Sequence, residues 1–294
     1  MTKELSIKDQ MKNNPAITAT LAFIISFALL KLFTTPDTEY IVWPSVKRVV
    51  LLLFLMITWV AIRTTNPLKE KAADSVRFVF KACRPVLRLV VVLGCISTAA
   101  IALTIALGQS PCTANVPLAL ASTAVFCLCV GFFEEFLFRI VLGDGIIKQF
   151  KNCKNIFPIT IVITSVVFGL AHVIFDINMA TLTNPITLLQ IIFKVTECGL
   201  FSVVLIQLYW KSHNWVAVSL VHALNDFVLL VPTAIMYGNP INGLTYVNST
   251  ATTGQVAGQF VTLAITATAV IINLHTMKST VTDQIDYDAI RASL

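Results

Sequence analysis

The sequence predicts an all-α fold, a polytopic membrane helix bundle of about eight transmembrane helices with both termini in the cytosol. Three observations lead there. The 294-residue chain is 56% hydrophobic and only 12% charged, and its mean hydropathy is +0.82, far from the balance of a soluble domain. Apolar runs long enough to cross a bilayer recur from end to end. Lysines and arginines collect in alternate connections, the asymmetry that sets basic loops inside. The net charge of +6 sits in those short loops and reports topology. The phenylalanines lie within the apolar runs and offer bases no stacking platform, so the expected partner is the lipid bilayer and not nucleic acid.

Taken in order, residues 1–14 are a polar cytosolic lead-in carrying Lys3, Lys8 and Lys12. Residues 15–115 hold the first three spans. The run from Pro15 to Phe33 is too long for a cleaved signal and lacks a small-residue cleavage site, so it stays as span one, near 16–32. A turn at Thr34–Thr35–Pro36–Asp37 leads to span two, between about Tyr40 and Ile62. Lys47 and Arg48 interrupt it, so either its core is 49–62 or both side chains snorkel outward. The basic cytosolic loop 63–88 follows, with Arg63, Lys69, Lys71, Arg77, Lys81, Arg84 and Arg88. Within it, 76–83 reads as an interfacial amphipathic helix, phenylalanines down and basic residues up. Span three, 89–107, is broken by Gly108–Gln109–Ser110–Pro111.

Residues 116–236 hold spans four to seven. Span four runs from 116 to about 142 and ends at Gly143–Asp144–Gly145. After Lys148, Lys151 and Lys154 comes span five, 156–175. Span six, 186–209, carries Lys194 and Glu197 at i and i+3, spaced to pair. Lys211–Ser212–His213–Asn214 turns the chain into span seven, 215–236. Residues 237–294 supply an outer loop with the sequon Asn248–Ser249–Thr250, span eight near 256–274, and a cytosolic tail. The seven cysteines form no disulfide framework and no Cys-x-x-Cys zinc pattern; they read as small buried hydrophobes. The first and second halves do not repeat, which argues against a transporter built from Lys194, Glu197 and the buried acids.

The chemistry concentrates in Gly131–Phe132–Phe133–Glu134–Glu135–Phe136–Leu137–Phe138–Arg139. Carboxylates in such a segment cost roughly 2.5–3.5 kcal/mol each on insertion scales, so they need partners or a wet cavity. Glu135 and Arg139 stand at i and i+4 and can pair; Glu134 points about a quarter-turn away with no partner in its own helix. That is the pattern of a structural salt bridge beside a free carboxylate able to act as a general base. The string alone recurs by chance and becomes specific with company. His172 on span five, one turn after Phe168, and His222 on span seven, one turn before Asp226 and beside Asn225, supply that company. A phenylalanine there can wall off an imidazole, and a carboxyl group can orient one. A lone membrane histidine is often interhelical glue worth about 0.6 kcal/mol. Two of them with an unpaired glutamate on separate spans are instead the minimum kit for water attack on a carbonyl.

These three strings, Glu134-Glu135-x-x-x-Arg139, Phe168-x-x-x-His172 and His222-x-x-x-Asp226, resemble in order and spacing the motifs of the CPBP intramembrane proteases. That family comprises the type II CAAX prenyl endopeptidases and bacterial bacteriocin-processing or immunity (Abi) relatives. The resemblance covers about 125–230 and implies a catalytic core at 116–236. It implies a glutamic-type intramembrane endopeptidase with Glu134 as the base that, with His172, activates water, while His222 and Asp226 stabilise the oxyanion. Glu135, Arg139, Phe168 and Asn225 would support them. Many relatives have Asn where this chain has Asp226. An ionised carboxylate would repel an oxyanion, so Asp226 carries a proton, orients His222, or leaves the donor role to Asn225; the helical angle favours orientation of His222. A zinc variant would use Glu134, His172 and His222, although no His-Glu-x-x-His spacing is present; otherwise no cofactor is expected. The substrate implied is a lipid-modified or membrane-associated peptide, prenylated CAAX-type or bacteriocin- or pheromone-like, at a plasma membrane of prokaryotic type, or at the endoplasmic reticulum if the cell is eukaryotic. The alternative is a non-catalytic Abi-like scaffold or self-immunity protein.

Overall fold

The computed structural model describes residues 6–32, 42–62, 72–239, 241, 247–248, 251–280 and 287–293. Lys3, the turn at 34–37, Arg63, Lys69, Lys71 and the last two residues of the sequon lie outside them. The described residues form helices throughout: α1 (Ile7–Asn13), α2 (Pro15–Leu32), α3 (Val42–Ile62), α4 (Ala72–Ala82), α5 (Arg84–Ala106), α6 (Val116–Glu135), α7 (Gly145–Gln149), α8 (Ile156–Ala171), α9 (Met179–Thr183), α10 (Pro185–Ser212), α11 (Trp215–Tyr237), α12 (Thr253–Thr280) and α13 (Tyr287–Ser293). A π-helical segment, Phe136–Asp144, joins α6 to α7 without a break. Seven of these segments are long and apolar enough to cross a membrane, and α8 is a shorter apolar helix. The protein is a polytopic helical bundle.

Three expected boundaries move. Span four does not stop at Gly143–Asp144–Gly145 but continues through α7, a rod of 34 residues from Val116 to Gln149. Its glycines serve packing and not a turn: a Cβ on Gly145 would meet Ala19 Cβ at 2.9 Å and the Pro15 carbonyl at 3.2 Å, so glycine lets α2 close on the rod. Asp144 is buried and accepts a 2.8 Å hydrogen bond from the Tyr209 hydroxyl of α10. Span five is shorter than expected; α8 has 16 residues and gives way to turns at His172. Span three begins earlier, at Arg84 with Pro85 in the first turn, where proline's missing N–H costs nothing.

The interrupted span two is one helix. Arg48 donates to the Pro44 carbonyl at 3.1 Å and lies over the Phe126 ring at 4.7 Å, while Lys47 reaches the Leu30 carbonyl at 3.5 Å. Backbone oxygens and a ring thus partner both cations within the helical layer. The amphipathic stretch in the basic loop is α4. Its Val79 and Ala82 are buried and Arg77 and Lys81 exposed, and it packs on α10, α11 and α12. As a small buried hydrophobe should be, Cys83 is fully buried at the α4–α5 turn, where burial pushes its thiol up to about 12, whereas Cys95, Cys112 and Cys153 are exposed.

Close helix pairs fix the centre of the bundle. A Cβ on Gly131 of α6 would stand 2.6 Å from the Ser219 carbonyl oxygen of α11, and one on Gly169 of α8 would stand 2.3 Å from the Val195 carbonyl oxygen of α10. Only glycine permits these approaches, the small-residue packing by which membrane helices associate. Replacing Gly131 by Ala should therefore lower the melting temperature in detergent by several degrees. Gly258→Ala is the control, since its Cβ would meet nothing within 4 Å and alanine is the better helix former; it should leave melting unchanged or raise it.

Candidate active site

Four helices and the π segment bring the polar residues together. Glu134 and Glu135 end α6, Arg139 lies in the π segment, His172 caps α8, and His222, Asn225 and Asp226 lie on α11. α10 contributes Cys198, Phe201 and Ser202, three residues that the sequence motifs did not point to.

At the centre, Arg139 donates from Nε to Glu135 Oε2 at 2.8 Å and from Nη2 to Oε1 at 3.2 Å, a bidentate pair with both side chains fully buried. Its Nη1 donates to Ser202 Oγ at 2.7 Å, and the guanidinium lies 5.1 Å from the centre of the Phe168 ring. Every face of the cation has a partner. Such a pair is tolerated in a dry interior only because its donors and acceptors are so completely satisfied. Glu135 does more than the expected pairing: its Oε1 also accepts from His222 Nδ1 at 2.8 Å. With the carboxylate held ionised by arginine, Nδ1 carries the proton, and His222 presents Nε2 to the opposite side.

That opposite side holds the other two acids. Nε2 of His222 is 3.4 Å from Asp226 Oδ2 and 3.9 Å from Glu134 Oε2. Asn225 donates from Nδ2 to Asp226 Oδ1 at 3.2 Å, so Asp226 is steadied by its neighbour while it faces His222. The expected orienting partner of His222 is therefore joined by a closer one, Glu135. Glu134 differs from both. Its side chain is 17% exposed, yet Oε2 is buried and has no hydrogen-bond partner among the described residues.

His172 completes the group. Its Nδ1 lies 2.8 Å from the Phe168 carbonyl. A carbonyl can only accept, so Nδ1 carries the proton and Nε2 is left as the acceptor. Cys198, Glu134 and Asp226 are all near enough to act on this imidazole electrostatically. The Phe168 ring centre is 4.8 Å from that of His172 and 5.8 Å from that of His222, with Phe201 5.8 Å from His222 on another side. The phenylalanines wall both imidazoles. At the start of α11 the buried Trp215 packs on Phe132 and Phe136 with ring centres 5.6 and 5.1 Å apart.

All the expected site residues thus converge. Among the described residues no three His, Cys, Asp or Glu side chains are grouped as metal ligands. Apolar grooves of about 630 and 430 Å³ run between α2 and α8, sharing Phe23, Ile24 and Val167, beside the site and not in it. What the arrangement can do is hold one imidazole rigidly against a fixed ion pair and leave a carboxylate, a second imidazole and an acid facing one another.

Fold and site together define a class: a multi-pass membrane protein with a cluster of acids and histidines buried among its helices. Residues 116–228 match the family model described as type II CAAX prenyl endopeptidase Rce1-like. No curated protein and no solved structure matches the chain.

The ion pair carries a specific expectation. Arg139→Met strands Glu135 and should cost about 3–5 kcal/mol of stability. Adding Glu135→Leu to Arg139→Met should restore part of that loss in a thermal melt, because the stranded charge is then gone.

Proposed function

We propose that the protein is an intramembrane endopeptidase of glutamic type that hydrolyses a peptide bond in a membrane-associated substrate, prenylated CAAX-type or bacteriocin- or pheromone-like. The observation that carries this reading is Glu134 Oε2, a buried carboxylate oxygen without a hydrogen-bond partner among the described residues, set between two imidazoles. A purely structural glutamate would find a partner, since an unsatisfied buried charge is costly. One kept open beside histidines is suited to hold a water.

In the proposed reaction Glu134 takes a proton from water, and His172 Nε2 accepts the water's other hydrogen to aim it. The oxygen adds to the peptide carbonyl carbon, and the π electrons move to the carbonyl oxygen. His222 lies beside that oxyanion with its proton on Nε2 toward Asp226 and Glu134, so imidazolium charge offsets the new negative charge. Preorganised donors of this kind are worth roughly 2.7–4 kcal/mol each. The tetrahedral intermediate then collapses, the C–N bond breaks, and the proton held by Glu134 passes to the leaving nitrogen, giving a carboxylic acid and an amine, which then ionise to a carboxylate and an ammonium group. Asp226 fits the role of orienting His222, with Asn225 holding Asp226. Glu135, held by Arg139, fixes the ring orientation of His222 through its Nδ1–H.

The basic connections support a topology with both termini cytosolic in a plasma membrane. Glu134→Gln is isosteric and removes the base. In liposomes carrying the purified protein and a farnesylated CAAX-type peptide, it should lower kcat by a factor of about a thousand or more, general-base and positioning effects combining. His172→Ala should lose a factor of about a hundred or more. Full cleavage by Glu134→Gln would overturn the reading in favour of a scaffold or immunity protein.

A further inference from the structure

Nothing in the catalytic reading uses the apolar grooves beside the site. They run on into one channel between α2 and α8, because each helix turns a stripe of side chains to it at three- and four-residue steps. Ala16, Thr20, Ile24 and Lys31 line it from α2, and Ile159, Ile163 and Val167 from α8. Both helices pack on the rod, whose buried Leu142 and Ile146 floor the channel. The lips Ile24, Ile163 and Ile174 are exposed, so in a bilayer the channel opens sideways to lipid. From Ala16 to Lys31 it runs about 22 Å along α2, in a hydrocarbon layer about 30 Å thick. Thr20 spends its hydroxyl on the Ala16 carbonyl at 2.8 Å, which leaves the wall between the ends apolar. Such a wall suits an acyl chain.

Charge stands at one end. Lys31 lines the channel there, with Nζ 4.9 Å from the centre of the Phe175 ring. Asp176, the next residue, is partly exposed and feels the Lys31 charge, which opposes the upward push of burial on its carboxyl. A cation and an anion thus lie close together where the channel ends. A headgroup with both a phosphate and an ammonium matches them, phosphate to Lys31 and ammonium to Asp176. A primary ammonium also donates hydrogen bonds to the carboxylate, which a quaternary one cannot. A headgroup with phosphate alone would leave Asp176 facing an anion.

We propose that the channel binds a bilayer phospholipid with a zwitterionic, primary-ammonium headgroup, one acyl chain lying between α2 and α8 and the headgroup spanning Lys31 and Asp176. The chain then bears on the wall of the candidate active site. Phe23 lines both grooves, its ring centre is 5.6 Å from that of Phe138, and Phe138 is 4.9 Å from Phe168, which walls both imidazoles. The lipid is a brace for that wall and not a substrate, and its binding does not depend on hydrolysis.

The test is native mass spectrometry of the full chain in detergent, mixed with phosphatidylethanolamine or phosphatidylglycerol of the same acyl chains. Wild type should retain the ethanolamine lipid about fivefold or more over the glycerol lipid. Asp176→Asn should remove that preference, and Lys31→Met should lower retention of both lipids. Ile163→Trp, at a lipid-facing lip, should lower both by filling the channel; Ile24→Trp on the opposite lip repeats the test should the first variant fail to fold. Equal retention of the two lipids by wild type, or a preference that survives Asp176→Asn, overturns the proposal. So does unchanged retention in the folded tryptophan variant. Displacement of the bound lipid by a farnesylated CAAX-type peptide would make the channel a substrate site and overturn it as well.

Discussion

An ion pair sealed inside a membrane bundle has to be complete or it is a liability, and the Arg139–Glu135 pair is complete. Two bonds join the side chains, a third goes to Ser202, the Phe168 ring covers the guanidinium, and the remaining strong contact goes to His222. Because the pair is satisfied only when α6, the π segment, α10 and α11 are all in place, it locks four elements to one geometry. The same demand fixes the ring of His222, whose Nδ1 has one place to donate. Neighbouring Glu134, one residue earlier, is turned out of this network and is available for chemistry.

Backbone packing makes such a network possible. Gly131 lies one turn before Glu134 and Glu135 and brings α6 against α11; Gly169 lies one turn before His172 and brings α8 against α10. A side chain at either would hold apart the pair of helices that carries the imidazole on one side and its partner on the other. The π segment starts directly after Glu135. Wide turns of this sort in a helix often occur at functional sites, and here all of Phe136–Asp144 is buried, so the altered winding is supported on every side.

Much of this was legible from residues alone, for a physical reason. Charges in an apolar run are expensive enough that Glu134, Glu135, Arg139, His172, His222 and Asp226 stand out, and the i, i+4 rule correctly pairs Glu135 with Arg139. What stayed hidden depends on contacts between helices distant in sequence. Ser202 and Cys198 are unremarkable in an apolar span until α10 is placed beside the π segment and α8. That Glu135, and not Asp226 alone, orients His222 follows from the approach of α6 to α11. Gly143 and Gly145 read as a turn because the local rule for glycine cannot know that α2 presses on the same spot. The π winding likewise has no periodic signature when helical angles are counted at about 100° per residue.

The central claim is that two adjacent glutamates have opposite duties, Glu135 structural and Glu134 chemical. Thermal melting of purified Glu134→Gln and Glu135→Gln, side by side in one detergent, tests it without any substrate. Glu135→Gln should melt well below wild type, since Arg139 loses its counter-charge in a buried site. Glu134→Gln should melt at or above wild type, since an unbonded buried carboxylate oxygen is removed. A loss of stability in Glu134→Gln equal to that in Glu135→Gln would contradict the division of labour and the catalytic reading built on it.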